Sequence, residues 1–489
     1  MKTAGNSRSN IRANAVLWAT APPGDGDDDC AAPPGPENDC LFPGSLPPVS
    51  NEVIAGHYAR PTAYSAPLWG NFRLVGAPRA AGPVVLGGRS WSRWQAFDAP
   101  ALLAGDVDWQ LARAGLLQPL DAVPAAARPA PHELTAWLHV TNACNLECPY
   151  CYVNKSTEHM SPETGLRAVE AVFRAATHGD FDTVRLKYAG GESTLHLRLV
   201  RLLHDRAVEM ARETGLRLRE VMLTNGVHLR PEDADWLAEA GLKVVVSLDG
   251  VGELHNRLRP MRNRPDVDTF ARVEHTMDRV LIRRGLQPDV TMTVTGVNAH
   301  GAAGVARWAM IDRGLPTRFS FYRANALSRC RRDLELEEEA LIAGMQDAYA
   351  ALEAELPLWP FAHGLVDRAG MMPHAHACGV GLNYLVITHT GATAQCQMHL
   401  GRPVHPDVDG DLLAAVSAGP ILNLHVEEKE GCRDCTFRFA CAGGCPLETY
   451  RVTGRWDVRS PNCRIYQTLL PLAWRLEGLR LLKLNGYLN

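Results

Sequence analysis

Cysteine is the residue whose number and spacing in this sequence most directly indicate chemistry. The chain has 13 cysteines in 489 residues; three lie between positions 144 and 151 and seven between 378 and 463. Dense disulfide frameworks belong to small secreted domains, whereas this chain is long and its first residues lack the basic and apolar regions of a secretion signal. The clustered cysteines are therefore predicted to bind metal.

The first cluster lies in the segment TNACNLECPYCYV. It spaces Cys144, Cys148 and Cys151 as Cys-x3-Cys-x2-Cys, with Tyr150 directly before the last cysteine. Three thiolates on a short loop can bind three irons of a [4Fe–4S] cluster and leave the fourth iron for a cofactor with an amine and a carboxylate. Zinc is the competing interpretation, but a structural zinc site needs four ligands and no fourth follows at a usual spacing.

The C-terminal cysteines form a second field. Its members are Cys378, Cys396, Cys432, Cys435, Cys441, Cys445 and Cys463, and a glycine lies five residues before the second of them. Taken alone, its closely spaced pairs are also compatible with a zinc ribbon. The other cysteines are isolated: Cys30 and Cys40 are predicted to be free thiols, and Cys330 to be either a core or loop thiol or a site residue.

The elements that must position the first cluster follow from the pattern of residues 134–355, where short β-rich segments alternate with longer amphipathic ones. Strands are predicted at 134–140, 183–189, 219–224, 244–249, 289–295 and 317–322, and helices at 161–177, 196–214, 231–240, 268–285, 300–314 and 335–355. Such an α/β alternation predicts a parallel sheet covered by helices, a partial (β/α)6 barrel two units short of the full eight.

Residues able to bind a ligand come directly after several of these strands. Ligands bind at the carboxyl ends of parallel strands, and the first cysteine cluster follows the first strand. The later strand ends carry Gly190, Gly191 and Glu192, then Asn225, then Ser247 and Asp249. Asn-Gly and Asp-Gly pairs also form turns, so the last of these residues have a purely structural interpretation too.

The chain divides into four predicted regions. Residues 1–60 form a disordered or loosely attached leader rich in Pro, Gly and Asp, and residues 61–132 form a small α+β module with a linker. The module looks like a winged-helix peptide-recognition element, with a simple cap as the alternative. Residues 133–355 are the barrel and residues 356–489 hold the second cysteine field. The net charge of −4 and the short apolar runs predict a cytoplasmic protein without a nucleic-acid or membrane partner.

The first cysteine motif and the GGE segment together resemble the signature of the radical S-adenosylmethionine (SAM) superfamily. The resemblance extends over 134–322 and implies that the cluster's free iron binds the amine and carboxylate of SAM, with Tyr150 beside the adenine. It also implies that Gly190, Gly191 and Glu192 contact the SAM amine. The family usually has Pro after this glutamate, where this chain has Ser193.

The same resemblance extends to the strand ends and to the reaction. Asn225 and Ser247 are implied to contact SAM, and Asp249 to contact SAM or the substrate. Arg257 and Arg259 lie in the segment LHNRLRP, which resembles a further motif of the family. The resemblance does not assign a role to either arginine. In this family SAM is cleaved to a 5′-deoxyadenosyl radical, which removes a hydrogen atom from an unactivated C–H bond of the substrate.

The second cysteine field resembles the SPASM extension of radical SAM enzymes, including its CAGGCP segment. That resemblance implies an outer auxiliary [4Fe–4S] cluster on Cys432, Cys435, Cys441 and Cys463, and thus three clusters in all. The inner cluster would take Cys378, Cys396 and Cys445 and would be one ligand short. Its fourth iron is expected to take a nearby side chain (His374, His376, Asn383 or Tyr384), a water, or a substrate thiolate.

Enzymes with this extension mostly modify peptides or proteins. The resemblance therefore implies an oxidoreductase-type maturase for a precursor peptide or protein with a leader segment, reduced by a flavodoxin or ferredoxin. An intramolecular thioether or carbon–carbon cross-link is the expected modification. The alternatives are an anaerobic sulfatase-maturating type, an epimerase that uses Cys330 as hydrogen donor, and a noncatalytic iron–sulfur scaffold.

Overall fold

The computed structural model describes residues 13–18, 56–120 except 79 and 81, and 132–488 except 329. Cys30, Cys40, most of the predicted leader and nearly all of the predicted linker lie outside the described residues. Within the described part of the chain, no helix is long and apolar enough to cross a membrane.

The N-terminal region forms two small antiparallel sheets and two helices. Its elements are β1 (Val16–Leu17), β2 (His57–Ala59), β3 (Tyr64–Trp69), β4 (Phe72–Gly76), β5 (Val84–Leu86), α1 (Gly88–Gln95), β6 (Ala101–Leu102), α2 (Asp106–Arg113) and β7 (Gln118–Pro119). The region contains both strands and helices, as expected for an α+β module. Strands β1 and β2 fall within the predicted leader, and they are ordered because Val16 and Tyr58 are buried in the core of this region.

The centre of the molecule is the partial barrel, as predicted. Its strands are β8 (Glu133–Thr141), β9 (Thr183–Gly190), β10 (Arg217–Thr224), β11 (Lys243–Ser247), β12 (Asp289–Val294) and β13 (Thr317–Phe321). They lie side by side in chain order, and all of them are parallel. Eight of the nine residues of β8 are buried, as expected for a strand with helices on one side and the barrel interior on the other.

Helices connect the strands on the outside of the barrel. They are α3 (Pro162–His178), α4 (Leu197–Thr214), α5 (Pro231–Glu239), α6 (Glu253–Leu258), α7 (Thr269–His275), α8 (Ala302–Val305) and α9 (Glu338–Ala354). Helix α3 begins where the sequence favours it, with Ser161 capping the backbone N–H of Thr164 and Pro162 in the first turn. Two predicted helices are shorter in the α form, because α7 and α8 continue as π-helical turns over Thr276–Leu281 and Ala306–Ile311.

The C-terminal region extends the barrel sheet. Its elements are β14 (Tyr384–Ile387), β15 (Thr393–Ala394), α10 (Leu412–Ser417), α11 (Arg438–Cys441), α12 (Pro446–Thr453) and α13 (Cys463–Leu484). Strand β14 pairs in parallel with β8, and β15 pairs antiparallel with β14. The sheet thus crosses the predicted boundary at 355/356 and brings the second cysteine field beside the first strand of the barrel.

Candidate active site

The loop that carries Cys144, Cys148 and Cys151 follows β8 and is held by backbone hydrogen bonds to a distant segment. Glu147 N donates to Pro260 O at 2.9 Å, and Arg262 N donates to Asn145 O at 2.9 Å. All three cysteines line one cavity at the carboxyl ends of the barrel strands. The spacing therefore places the three thiols at the predicted ligand-binding edge of the sheet.

The three thiols fit an iron–sulfur cluster better than a single ion. Burial raises the pKa of Cys144 to about 12 and that of Cys148 to about 11, so each would exist as a thiolate only with a cationic partner such as iron. Among the described residues, no three His, Cys, Asp or Glu side chains are arranged to hold one single metal ion. In a cluster each thiolate binds a different iron, so the three need not converge on one point.

The glycine pair after β9 is required by the close approach of the cysteine loop. A Cβ on Gly190 would lie 2.3 Å from Thr141 O, and one on Gly191 would lie 2.3 Å from Ala143 O. Gly191 N also donates to Thr141 O at 2.7 Å. The two glycines therefore let β9 support the start of the cysteine loop, and their backbone lines the cavity.

We expect Gly191→Ala to destabilise the fold by about 1–3 kcal/mol and to lower the iron content, because a methyl group against backbone atoms forces the cysteine loop to move. The free energy of unfolding and the iron per chain would be measured together. Gly304→Ala is the matched control, since its Cβ would meet only Val251 at 3.7 Å. Equal behaviour of the two variants would contradict this role.

Glu192 connects the ends of β9 and β10. Its side chain is almost fully buried and accepts hydrogen bonds from Thr224 Oγ1 at 2.8 Å, from Asn225 N at 2.7 Å and from both N and Oγ1 of Thr194. The carboxylate is thus engaged by donors of its own chain and positions the loop after β10. Ser193, in place of the family's usual Pro, donates to Leu223 O at 2.6 Å and holds the same two strand ends together.

Asn225 and Ser247 both line the cavity, as their positions at strand ends predict. Asn225 Nδ2 donates to Asn145 Oδ1 at 2.7 Å, and Asn225 Oδ1 accepts from Val227 N at 3.0 Å. The Asn225 side chain therefore braces the cysteine loop from the opposite strand end. Ser247 is the last residue of β11 and borders the cavity between β10 and β12.

Asp249 lies behind the cavity wall instead of facing a ligand. It is fully buried, and its carboxylate accepts hydrogen bonds from Arg259 Nε at 2.7 Å, from Thr293 N at 2.8 Å and from the hydroxyl of Tyr150. Tyr150 and Arg259 line the cavity, whereas Asp249 does not. This placement favours a positioning role for Asp249 over the predicted catalytic one, because its carboxylate contacts Tyr150, Arg259 and Thr293, which line the cavity.

The Arg259 guanidinium is paired with this carboxylate. Burial is the largest influence on the pKa of Arg259 and lowers it, but the charges of Asp249, Tyr150 and Cys148 together with the Asp249 hydrogen bond raise the pKa overall. The guanidinium lies 5.7 Å from the centre of the Tyr150 ring. Sequence reasoning left the role of Arg259 open, and the structure pairs it with Asp249, while Arg257 is exposed.

Cys330 lies away from the cavity. It is exposed in the turn after β13, and it is not among the residues that line the cavity. This position does not favour the predicted role of Cys330 as a hydrogen donor, because such a donor must reach the reacting carbon inside the cavity.

The outer set of the second field comes together as the resemblance implies. Cys432, Cys435, Cys441 and Cys463 line one small, mostly apolar cavity, and burial raises the pKa of Cys432 to about 11 and that of Cys441 to about 12. Four thiols around an apolar cavity fit a [4Fe–4S] cluster.

The CAGGCP segment separates the two sets of thiols. Ala442, Gly443 and Gly444 have φ values of 45°, 74° and 70°. Glycine adopts this left-handed region without a steric penalty. The turn directs Cys441 to the outer set and Cys445 to the central cavity.

The inner set lies between the second field and the barrel. Cys378 is buried in an apolar cluster against which Cys396 and Cys445 pack, and the latter two also line the central cavity with Cys144, Cys148 and Cys151. The four candidates for a further ligand have partners in the chain. These partners are Met372 O for His374, Asn423 O for His376, Glu133 O for Asn383 and Gln397 for Tyr384.

Sequence reasoning missed several residues of the cavity wall. Trp137, Thr293, Arg323 and Arg368 line it. The alternation of polar and apolar residues in β12 could have indicated Thr293, one residue before the strand end, whereas Trp137 lies in the middle of β8, where nearly every residue is buried and no alternation marks the inward face. Arg323 and Arg368 lie in loops, where no periodicity indicates which way a side chain faces.

Comparison with known proteins agrees with this geometry and identifies the central domain. Residues 138–306 match the family model described as the radical SAM superfamily. This part of the chain is a radical SAM domain. Such a domain binds SAM and an iron–sulfur cluster, and the three half-buried thiols beside the glycine pair fit the cluster.

Other proteins resemble longer parts of the chain. The PqqA peptide cyclase of Bradyrhizobium diazoefficiens is 23% identical over 382 residues, which cover 70% of this chain and 90% of that protein. An uncharacterized protein of Methanocaldococcus jannaschii is 28% identical over 127 residues, covering 26% of this chain and 42% of that protein. The solved structure of native anSMEcpe with bound AdoMet and Cp18Cys peptide has a TM-score of 0.54 at 18% identity, covering 71% of this chain and 99% of that one. At that identity the likeness concerns the fold.

Proposed function

We propose that this chain is a radical SAM maturase that removes a hydrogen atom from a peptide or protein substrate and installs an intramolecular thioether or carbon–carbon cross-link. One observation carries the proposal. The thiols of the radical SAM loop and two thiols of the second field, Cys396 and Cys445, line the same cavity. The relative named as a peptide cyclase, and the peptide bound in the related fold, support a peptide as the substrate class.

The residues of the radical SAM domain have three roles: they hold the cluster, border SAM and position the cavity wall. Cys144, Cys148 and Cys151 would hold the first cluster, and the backbone of Gly190 and Gly191 with Asn225 and Ser247 would border SAM. The bound cofactors supply one-electron chemistry strong enough to remove a hydrogen atom from an unactivated carbon. Asp249 fixes Tyr150 and Arg259 in the wall, and the buried wall keeps water away from the reacting carbon.

Cross-linking is an oxidation, so it must also remove a second electron from the substrate. Cys378, Cys396 and Cys445 would hold an acceptor against the cavity wall, and the four thiols of the outer set would hold another nearer the surface. An epimerase would instead need a hydrogen donor in the cavity. The predicted donor, Cys330, is exposed outside it, which favours cross-linking.

The test is to incubate the anaerobically reconstituted chain with SAM, dithionite and candidate peptides from neighbouring genes, and to analyse the peptides by mass spectrometry. A cross-link lowers the mass by two hydrogen atoms and joins two fragments that a protease would otherwise separate. Epimerisation leaves the mass unchanged. An unchanged mass together with SAM cleavage would contradict the cross-linking proposal but not the radical SAM assignment.

A further inference from the structure

An open groove borders the central cavity on the side of the second cysteine field. The two share Tyr152, Met398 and Leu447 as lining residues, so the groove leads into the cavity. Several apolar side chains of the groove are exposed: Leu327 is 56% exposed and Tyr450 is 44% exposed. The Tyr450 ring stacks on Trp456, with centroids 4.2 Å apart and planes 8° from parallel. Exposed apolar side chains that line one groove indicate a binding surface.

The charges of the groove favour an acidic partner. Arg402 and Arg451 line it, and Glu158 is the one acidic residue among the described residues that do so. Arg451 Nη1 donates to Ala324 O at 2.8 Å, whereas the Arg402 guanidinium has no carboxylate partner in the described part of the chain. Glu158 already lies 3.7 Å from His389. A carboxylate of a bound molecule could therefore form an ion pair with the Arg402 guanidinium.

A buried histidine forms part of the same wall. His139 is 1% exposed and lies on β8, two residues from Trp137 of the cavity wall. Its Nε2 is 2.8 Å from Asn142 Oδ1, and Asn142 Nδ2 donates to Glu158 Oε2 at 3.3 Å. Because the amide nitrogen faces the carboxylate, the amide oxygen must accept from Nε2–H, which leaves the His139 Nδ1 lone pair as an acceptor.

That acceptor has no partner within the described residues, although it is buried. Burial lowers the pKa of His139 to about 4, with the Asn142 hydrogen bond acting against it, so the ring is neutral at neutral pH. A buried acceptor without a hydrogen bond lowers the stability of the protein, and a donor from a bound molecule would supply the missing hydrogen bond.

We propose that the groove binds an extended, acidic segment of the peptide substrate, with a peptide carboxylate at Arg402 and a backbone N–H donating to His139 Nδ1. This inference rests on the proposed function, since it names the substrate segment of that same site. The apolar side chains around Tyr450 and Leu327 would cover the neighbouring residues of the segment. Bound in this way, the segment would lead from the groove into the cavity that the thiols border.

The test uses a display library of random short peptides, selected on the immobilised, reconstituted full chain with SAM and without reductant. Acidic residues should be enriched severalfold over the starting library, and Arg402→Glu should abolish that enrichment. Arg212→Glu, on the exposed face of α4, is the charge-matched control and should select acidic peptides as the unchanged chain does. Selection without acidic enrichment, or equal enrichment by Arg402→Glu, would overturn the proposal.

Two substitutions then test the histidine with the best selected peptide. His139→Leu should weaken the Kd about tenfold, whereas His139→Asn, whose amide oxygen stands near the place of Nδ1, should weaken it about threefold or less. Equal losses would contradict the acceptor role. Because binding is measured without turnover, loss of peptide binding is distinguishable from failure of SAM cleavage, which would instead defeat the proposed function.

Discussion

Replacing Cys144, Cys148 and Cys151 together by Ala should abolish SAM cleavage while leaving the iron of the second cysteine field in place. These thiols line the cavity between the strand ends, and none of the other candidate ligands lies on their loop. Reconstituted protein should therefore lose about a third of its iron, from about twelve to about eight per chain, since each [4Fe–4S] cluster holds four. Iron and sulfide analysis with visible absorption spectra would measure this loss.

Cys330→Ala is the matched control for the triple variant. Because Cys330 is exposed outside the cavity, iron content and SAM cleavage should stay at the level of the unchanged chain. Replacing Cys432, Cys435, Cys441 and Cys463 should remove a comparable amount of iron while the absorption of the first cluster persists. Loss of all iron in the triple variant would contradict the separation of the sites.

Asp249→Ala should be the most destabilising single substitution in the site, by about 3–5 kcal/mol, because it leaves a buried guanidinium without its partner. The Arg259 side chain is 10% exposed, and the carboxylate also accepts from Thr293 N and the Tyr150 hydroxyl. Tyr150 would lose its anchor and the cavity wall would loosen. Denaturant unfolding followed by tryptophan fluorescence measures the loss, and SAM binding by calorimetry should weaken in parallel.

Two controls separate this positioning role from a general effect of lost charge. Asp249→Asn keeps acceptor capacity for Thr293 N and should cost less than Asp249→Ala. Asp409→Ala removes a surface carboxylate that pairs with Arg167, and such pairs contribute about 0–1 kcal/mol. A loss for Asp249→Ala no larger than for Asp409→Ala would show that the buried contacts contribute little.

The order and type of the barrel elements could be predicted because short segments rich in apolar and β-branched residues alternate with longer amphipathic segments. The π-helical turns after α7 and α8 could not, since the same apolar spacing suits either helix form. The pairing of β14 with β8 could not be predicted from the sequence either. It joins residues about 250 positions apart, as the Asn383–Glu133 contact shows, and local pattern carries no information on such pairing.

The resemblance of the cysteine pattern to the radical SAM and SPASM motifs implied which thiols would lie together, and the two cavities are lined by those sets. Asp249 and Cys330 were harder to interpret. Both follow barrel strands, but whether a side chain after a strand faces the cavity, the wall behind it or solvent depends on residues that come later in the chain. For Asp249 those residues are Arg259 and Thr293, and their contact with its carboxylate turned it away from the ligand.

The central claim, that this chain cleaves SAM reductively, is tested most directly by measuring 5′-deoxyadenosine and methionine after anaerobic incubation of the reconstituted chain with SAM and dithionite. We expect both products in equal amounts, above the level given by the variant without Cys144, Cys148 and Cys151. Formation of neither product above that level, with the iron of the first cluster present, would contradict the claim.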